Sequence, residues 1–182
     1  MPLPNLFPCA ARRSAGALGP TDTSMRPQRP DAELAKAAHH LQYEFWMLLS
    51  VANALGSGIA SQGWLTNALL ESFVIHFRAL LDFFHPAETP KADDVVASDY
   101  FDDQEEWSRL RPQLSEALRT AKRRAHKEIA HLTYARLDVT PKAKPWAFVD
   151  IANEIGSLMT TFRSNVPPSR LGLNRGAECS GA

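Results

Sequence analysis

Apolar side chains recur at three- and four-residue spacing over long parts of the chain, and this spacing predicts α-helices. The first predicted helix runs from Asp31, a favourable N-cap after Pro30, to about Leu55, where a glycine-rich stretch stops it. Its apolar stripe consists of Leu34, Ala38, Leu41, Phe45, Leu48, Leu49, Ala52 and Leu55.

The second predicted helix, Trp64 to Phe84, is apolar around most of its circumference. A helix of that kind is typical of the centre of a hydrophobic core. The sequence His85-Pro86 ends it, because a proline disfavours helical geometry in the residue before it.

Two further helical regions complete the pattern. The third starts near Asp102 or Asp103, bends at Pro112 and continues to about Tyr134. The fourth starts near Pro145, a favoured first-turn proline, and continues through Phe162. Residues 135–140 are the one short stretch that also fits a strand. The pattern therefore predicts an all-α antiparallel bundle of four main helices.

The two ends of the chain show no helical or strand period. Residues 1–30 hold six of the 13 prolines, and residues 164–182 are rich in proline and glycine. Both are predicted to be disordered tails around a helical domain at residues 31–163. Met25 is an alternative start of the protein, and a transit peptide is disfavoured because the early prolines would break its helix.

Composition narrows the class of protein. The 20 basic and 20 acidic residues exclude a domain that is basic overall. The two cysteines, Cys9 and Cys179, cannot form a disulfide framework, and no apolar run is long enough to span a bilayer. We therefore expect a cytoplasmic protein without membrane contact.

Charge is nevertheless segregated along the chain. Between Asp82 and Glu106 there are nine acidic residues and one basic residue, whereas between Trp107 and Lys144 there are ten basic residues and three acidic ones. Such polarity can attract anions locally, or it can let the acidic segment cover the basic helix in the same or a neighbouring chain.

The candidate chemistry lies in the basic segment, since the sequence has no glycine-rich phosphate loop, nucleophile elbow or paired-cysteine metal motif. On an α-helix, Arg124, Glu128 and His131 form one stripe. His131 can transfer a proton to or from a ribose hydroxyl, Arg124 can neutralise a phosphate, and Glu128 can orient either side chain. The alternative is a solvated helix flank with local ion pairs. Glu128 and His131 are too few to bind a metal, so neither metal nor cofactor is expected.

The string Arg-Ala-His-Lys-Glu-Ile-Ala-His at 124–131 resembles the motif of HEPN domains, all-α modules with an arginine and a histidine separated by four to six residues. The resemblance implies a metal-independent endoribonuclease that works as a homodimer, with Arg124 and His131 in its active centre. HEPN nucleases commonly carry a polar residue directly after the arginine, where this chain has Ala125. His126 can substitute for it, although an ideal helix places His126 about 200° from Arg124.

Several other residues are candidates for supporting roles. Glu71 and Arg78 share a face of the second helix, where they either support Arg124 and His131 or form a stabilising polar seam in which Arg78 pairs with Asp82. Tyr134 is the aromatic residue closest to the motif. The other aromatic residues are expected in the core: Phe45, Trp46, Phe73, Phe77, Phe83, Phe84, Trp107, Trp146, Phe148 and Phe162.

Three functions remain open at this point. The first is a ribonuclease, or a degenerate RNA-binding relative, in a toxin-antitoxin or defence setting. The second is a non-catalytic helical protein-interaction module, for instance with an antitoxin-type partner. The third is a nucleotide-sized small-molecule pocket beneath the second helix.

Overall fold

The computed structural model describes residues 26–58, 63–140 and 145–173, and within these ranges the protein is all-helical and contains no strand. The all-α prediction is therefore confirmed. The α-helices are α1 (Asp31–Gly56), α2 (Trp64–Phe84), α3 (Gln104–Leu110), α4 (Glu116–Arg124) and α5 (Phe148–Asn165). Shorter turns are a π-turn at Ala125–Ala130 and 3₁₀ turns at Ala97–Tyr100, Tyr134–Asp138 and Pro168–Leu171.

The first two helices have the predicted bounds, but the start of α1 differs in its chemistry. Asp31 is the first helical residue instead of the N-cap, and the cap is Pro30, which provides no side-chain hydrogen bond. The Asp31 carboxylate instead accepts hydrogen bonds from Ser169 (2.9 Å) and Arg170 (2.8 Å). A tertiary contact has therefore replaced the local cap.

The third predicted helix is two helices. Arg111, directly before Pro112, has extended backbone angles (φ −65°, ψ 134°), as steric conflict with a proline ring requires. Asp103 caps α3 and Ser115 caps α4, each through a hydrogen bond to a backbone N–H. Pro112 thus breaks the predicted helix, and the described part of the chain contains five α-helices where four main helices were expected.

Two more boundaries differ from the prediction. The helix that contains α4 ends with Ala130 instead of Tyr134, and residues 134–138 form a 3₁₀ turn where a strand was the alternative. Helix α5 begins at Phe148, later than Pro145.

Helix α2 supplies the largest share of the core, as its apolar circumference predicted, and packs against α1, α5 and the π-turn. Around the fully buried Phe162 of α5 lies a cluster of rings at centroid distances of 5.2 to 6.2 Å: Phe83, Phe84, Tyr100, Phe101 and Trp107. The Trp107 indole donates to the Phe84 carbonyl (2.8 Å), so its polar atom is satisfied inside the core. Trp46 is the exception among the predicted core aromatics, with 61% of its surface exposed.

The packed region is longer than residues 31–163. Arg26 donates to the buried carboxylate of Asp99 (2.9 Å), and Leu171 is buried against the core. Arg170 pairs with both Asp31 and Asp102. Residues 26–30 and 164–173 therefore belong to the folded unit, while the predictions for residues 1–25, including Met25, and for 174–182 fall outside the described residues.

None of the helices in the described ranges combines the length and apolar character that crossing a membrane requires.

Candidate functional site

The predicted stripe of Arg124, Glu128 and His131 is divided by a change of helix type. Helix α4 continues into the π-turn, in which hydrogen bonds run between residues five apart and each turn is wider than in an α-helix. His131 then has extended backbone angles (φ −129°, ψ 145°). The prediction that His131 shares a helical stripe with Arg124 is therefore wrong.

Two side chains stabilise the end of the π-turn. The Thr133 hydroxyl donates to the Lys127 carbonyl (2.6 Å), and Arg136 Nη2 donates to the Ile129 carbonyl (2.9 Å). Carbonyl groups in the last turn of a helix have no N–H partner within the helix, and these two side chains supply the missing donors. The residues after the turn thus hold it in place.

The wide turn brings His126 and His131 together. Their ring centroids are 4.3 Å apart, with the planes tilted by 53°, and both side chains are exposed. Partial desolvation and the positive charges of His131, Lys127 and Arg78 lower the pKa of His126. The expectation that His126 points away from the other motif residues therefore fails for His131.

Arg78 of α2, a predicted supporting residue, is near enough to this pair for its charge to act on His126. It does not form the seam that the sequence suggested, because Asp82 pairs with Lys122 of α4 (3.0 Å). Glu71 is exposed. Tyr134, at the start of the 3₁₀ turn that follows the motif, is also exposed, with 90% of its surface accessible.

Arg124 lies in a different environment from the histidines. Its Nε donates to both carboxylate oxygens of Glu128 (3.0 Å each), and its Nη1 donates to the Pro145 carbonyl (3.0 Å). Its guanidinium carbon is 4.4 Å from the ring centroid of Trp146. The side chain thereby joins the π-turn to the segment before α5.

Arg124 and Glu128 line a cavity of about 680 Å³. The cavity lies between α2, the π-turn and the segment that leads into α5, and its other lining residues are Thr66, Asn67, Leu70, Ile129, Arg136, Val139, Pro145, Trp146 and Phe148. His131 is not part of this lining. The motif thus divides into a cavity pair, Arg124 and Glu128, and a surface pair, His126 and His131.

Ala125, the position directly after Arg124, lies in the core. This side chain is fully buried (0% exposed) in the core, at the junction of α4 and the π-turn. A polar side chain here would lose its hydration without a partner, so an apolar residue is required.

A shallow groove of about 410 Å³ lies beside α4, and Leu114 and His126 are among its lining residues. Four basic side chains line it: Arg119, Lys122, Arg123 and Lys127. The acidic segment covers little of this helix. Asp82 pairs with Lys122, whereas Asp99 and Asp102 pair with Arg26 and Arg170, which lie outside the basic segment.

Within the described ranges, no three histidine, cysteine, aspartate or glutamate side chains are grouped as metal ligands. Comparisons of the chain with models of protein families, with curated proteins and with solved structures give no match.

The cavity contains residues that the sequence reasoning missed as site residues. Arg136, Asn67 and Phe148 have no helical spacing to the motif, and Trp146 was expected only in the core. They meet at the cavity because α2, the 3₁₀ turn at 134–138 and the start of α5 each contribute to its lining. The signal in the sequence that pointed to this cavity was the apolar circumference of α2, because the first turns of α2 form one wall of the cavity.

Proposed function

We propose that this domain is a HEPN-like RNA-binding protein that cleaves RNA without a metal ion at His126 and His131. One observation carries the proposal: two exposed imidazole rings, with centroids 4.3 Å apart, of which His126 lines a groove that also contains four basic side chains. The basic side chains of the groove would neutralise backbone phosphates, which is the main source of affinity for nucleic acids.

The histidine pair suits proton transfer in both directions. Mutual repulsion between two imidazolium ions favours a state in which one ring is neutral and the other is protonated. The lowered pKa of His126 favours this ring as the base that takes the proton of the ribose 2′-hydroxyl. The 2′-oxygen attacks the phosphorus, the bond to the 5′-oxygen breaks, and protonated His131 donates its proton to that leaving oxygen. The products are a 2′,3′-cyclic phosphate and a 5′-hydroxyl.

Neighbouring cations would stabilise the charge that grows on the phosphate. Arg78 and Lys127 already act electrostatically on His126. A phosphate between the two rings requires them to separate, and exposed side chains change rotamer within nanoseconds. In this mechanism Arg124 and Glu128, the other two predicted catalytic residues, position the π-turn instead of touching the RNA.

Exposed apolar residues next to the histidines support a partner. Leu132 and Leu137 are 92% and 81% exposed, and Tyr134 lies between them. Large exposed apolar side chains grouped on one surface are typical of interaction sites. They suit the homodimer that the HEPN resemblance implies. They also favour the second candidate function, a non-catalytic module that binds an antitoxin-type partner through this segment.

RNA cleavage in EDTA tests the proposal. We expect the native protein to release 2′,3′-cyclic phosphate ends, and His126→Ala and His131→Ala each to slow cleavage by a factor of about 100 or more. His40→Ala, which removes an exposed histidine of α1, serves as the control and should cleave at the native rate. Equal cleavage by all four proteins, or none by any, would overturn the catalytic proposal.

RNA binding is measured separately. Charge reversal at Arg123 and Lys127 should abolish binding of a single-stranded RNA and flatten its dependence on salt. The matched test is the double variant Leu132→Ser with Leu137→Ser. If RNA binding persists after charge reversal while this double variant dissociates a dimer or a complex with a partner, the domain is better described as an interaction module.

A further inference from the structure

The cavity at Arg124 and Glu128 is separate from the histidine pair, and the proposed cleavage makes no use of it. Its volume of about 680 Å³ lies within the range of roughly 300 to 1,000 Å³ that is usual for small-molecule sites. Most of its lining is apolar, and its few polar groups lie on α2, the π-turn and the 3₁₀ turn at 134–138. This combination is characteristic of a ligand site.

Two aromatic rings form a fixed wall of the cavity. Trp146 and Phe148 are nearly parallel, with an interplanar angle of 11° and centroids 6.5 Å apart. The fully buried Phe73 packs edge-on against both rings, at 6.3 and 5.1 Å. Rings held from behind in this way can receive a flat ligand at little cost in conformational entropy.

Arg124 extends this wall as a planar cation. Its guanidinium rests on Trp146 and borders the cavity, and both carboxylate oxygens of Glu128 fix its orientation. A planar guanidinium stacks on aromatic rings, so a ligand ring lying on it would continue the Trp146–Arg124 stack. The aliphatic side chains of Leu70, Ile129 and Val139 complete the apolar surroundings.

The charge of the cavity favours an anion. Arg124 and Glu128 neutralise each other, and among the described lining residues Arg136 is the other charged side chain. Its bond to the Ile129 carbonyl uses one of five N–H donors and holds the guanidinium in place, which leaves donors for a phosphate or carboxylate. The exposed Asn67, on α2, offers an amide to polar groups of the ligand.

We propose that this cavity binds a planar aromatic anion of the size of a nucleoside monophosphate. The ring lies against Arg124, Phe148 and the aliphatic side chains, and the anionic group pairs with Arg136. This proposal does not depend on RNA cleavage, because it involves neither histidine and none of the basic residues that line the α4 groove.

Calorimetric titration of the full chain with four probes tests the chemistry. Uridine 5′-monophosphate represents an aromatic phosphate and indole-3-acetate an aromatic carboxylate, while ribose 5-phosphate lacks the ring and uridine lacks the anion. We expect saturable one-to-one binding of one or both aromatic anions, at least ten times tighter than that of the two incomplete probes. Binding of the phosphate alone identifies a nucleotide-like ligand, and binding of both identifies a general aromatic anion.

Two variants locate the binding. Arg136→Gln removes the proposed anion partner at an exposed position, and Asn67→Trp fills the mouth of the cavity from an exposed position on α2. Each should weaken binding at least tenfold. Arg123→Gln is the matched control: it removes an exposed arginine from the α4 groove and should leave the affinity unchanged while it weakens RNA binding.

The proposal is overturned if none of the aromatic anions binds at millimolar concentration. It is also overturned if ribose 5-phosphate binds as tightly as uridine 5′-monophosphate, or if both Arg136→Gln and Asn67→Trp keep the native affinity. Failure of the RNA proposal is distinguishable from failure of this one. It would be seen in RNA cleavage and RNA binding by the Arg123, His126 and His131 variants, and the calorimetric titrations would not change.

Discussion

The centroids of the imidazole rings of His126 and His131 lie 4.3 Å apart although the two residues are five positions apart in the chain. On an ideal α-helix these side chains would differ by about 140° in direction. The π-turn at Ala125–Ala130 and the extended backbone of His131 together place them side by side.

This contact predicts a coupled titration. His131→Ala removes one of the positive charges that lower the pKa of His126, so that pKa should rise toward its ordinary value. Arg78→Gln should act in the same direction, and His40→Ala should have no effect. Proton NMR of the histidine ring signals against pH measures this shift, and an unchanged His126 in both Arg78→Gln and His131→Ala would contradict the contact.

Ala125 and Ala130 give a matched pair for stability. Ala125→Asn places an amide in a fully buried position, and we expect a loss of about 2 to 4 kcal/mol in the free energy of unfolding. Ala130→Asn, at an exposed position of the same π-turn, should cost less than about 1 kcal/mol. Urea unfolding compares the two, and equal losses would show that Ala125 is not in the core.

Arg170 should anchor the C-terminal segment. Its guanidinium binds Asp31, Asp102 and the Tyr100 carbonyl, so Arg170→Met should lower the free energy of unfolding by roughly 1 to 2 kcal/mol. Arg163→Met removes an exposed arginine of α5 and serves as the control. Hydrogen exchange should show faster opening at residues 166–173 in Arg170→Met alone; equal exchange in both variants would contradict the anchor.

His85 should make stability depend on pH. Burial, aided by the charges of Arg111 and Lys122, lowers the pKa of His85 to about 4, and its Nε2 has no hydrogen-bond partner among the described residues. The unfolded chain binds a proton near pH 6.5, so this contribution to stability is full above that pH and is lost as the pH falls toward 4. Because the ring is partly exposed, we expect a loss of only about 1 kcal/mol.

His85→Phe tests this contribution, since it keeps an aromatic ring and removes the proton site. Urea unfolding of the variant at pH 7 and pH 5 should show a smaller difference than the native protein does. An identical difference in both proteins would assign the acid sensitivity to other groups.

Local patterns in the sequence determined the helices. Apolar spacing predicted α1 and α2 correctly, because a long segment with this periodicity has few stable alternatives to a helix. The break at Pro112 and the caps of α3 and α4 likewise follow from residues next to each other in the chain. The four-residue spacing also predicted the pairing of Arg124 with Glu128, which forms even though Glu128 lies in the π-turn.

Hydrogen bonds that no residue spacing predicts decided the rest, some between near neighbours and some across the fold. Asp31 was expected to cap α1, but Arg170, 139 positions away, binds its carboxylate. His131 does not share the helical stripe because the helix ends in a π-turn, which residue spacing does not predict. Thr133 and Arg136 donate hydrogen bonds to carbonyls of that turn. The cavity exists because Arg124 holds Pro145 and Trp146 over that turn. Periodicity reports which face of a helix is apolar, whereas hydrogen bonds across the fold decide where the helix ends and which side chains share a site.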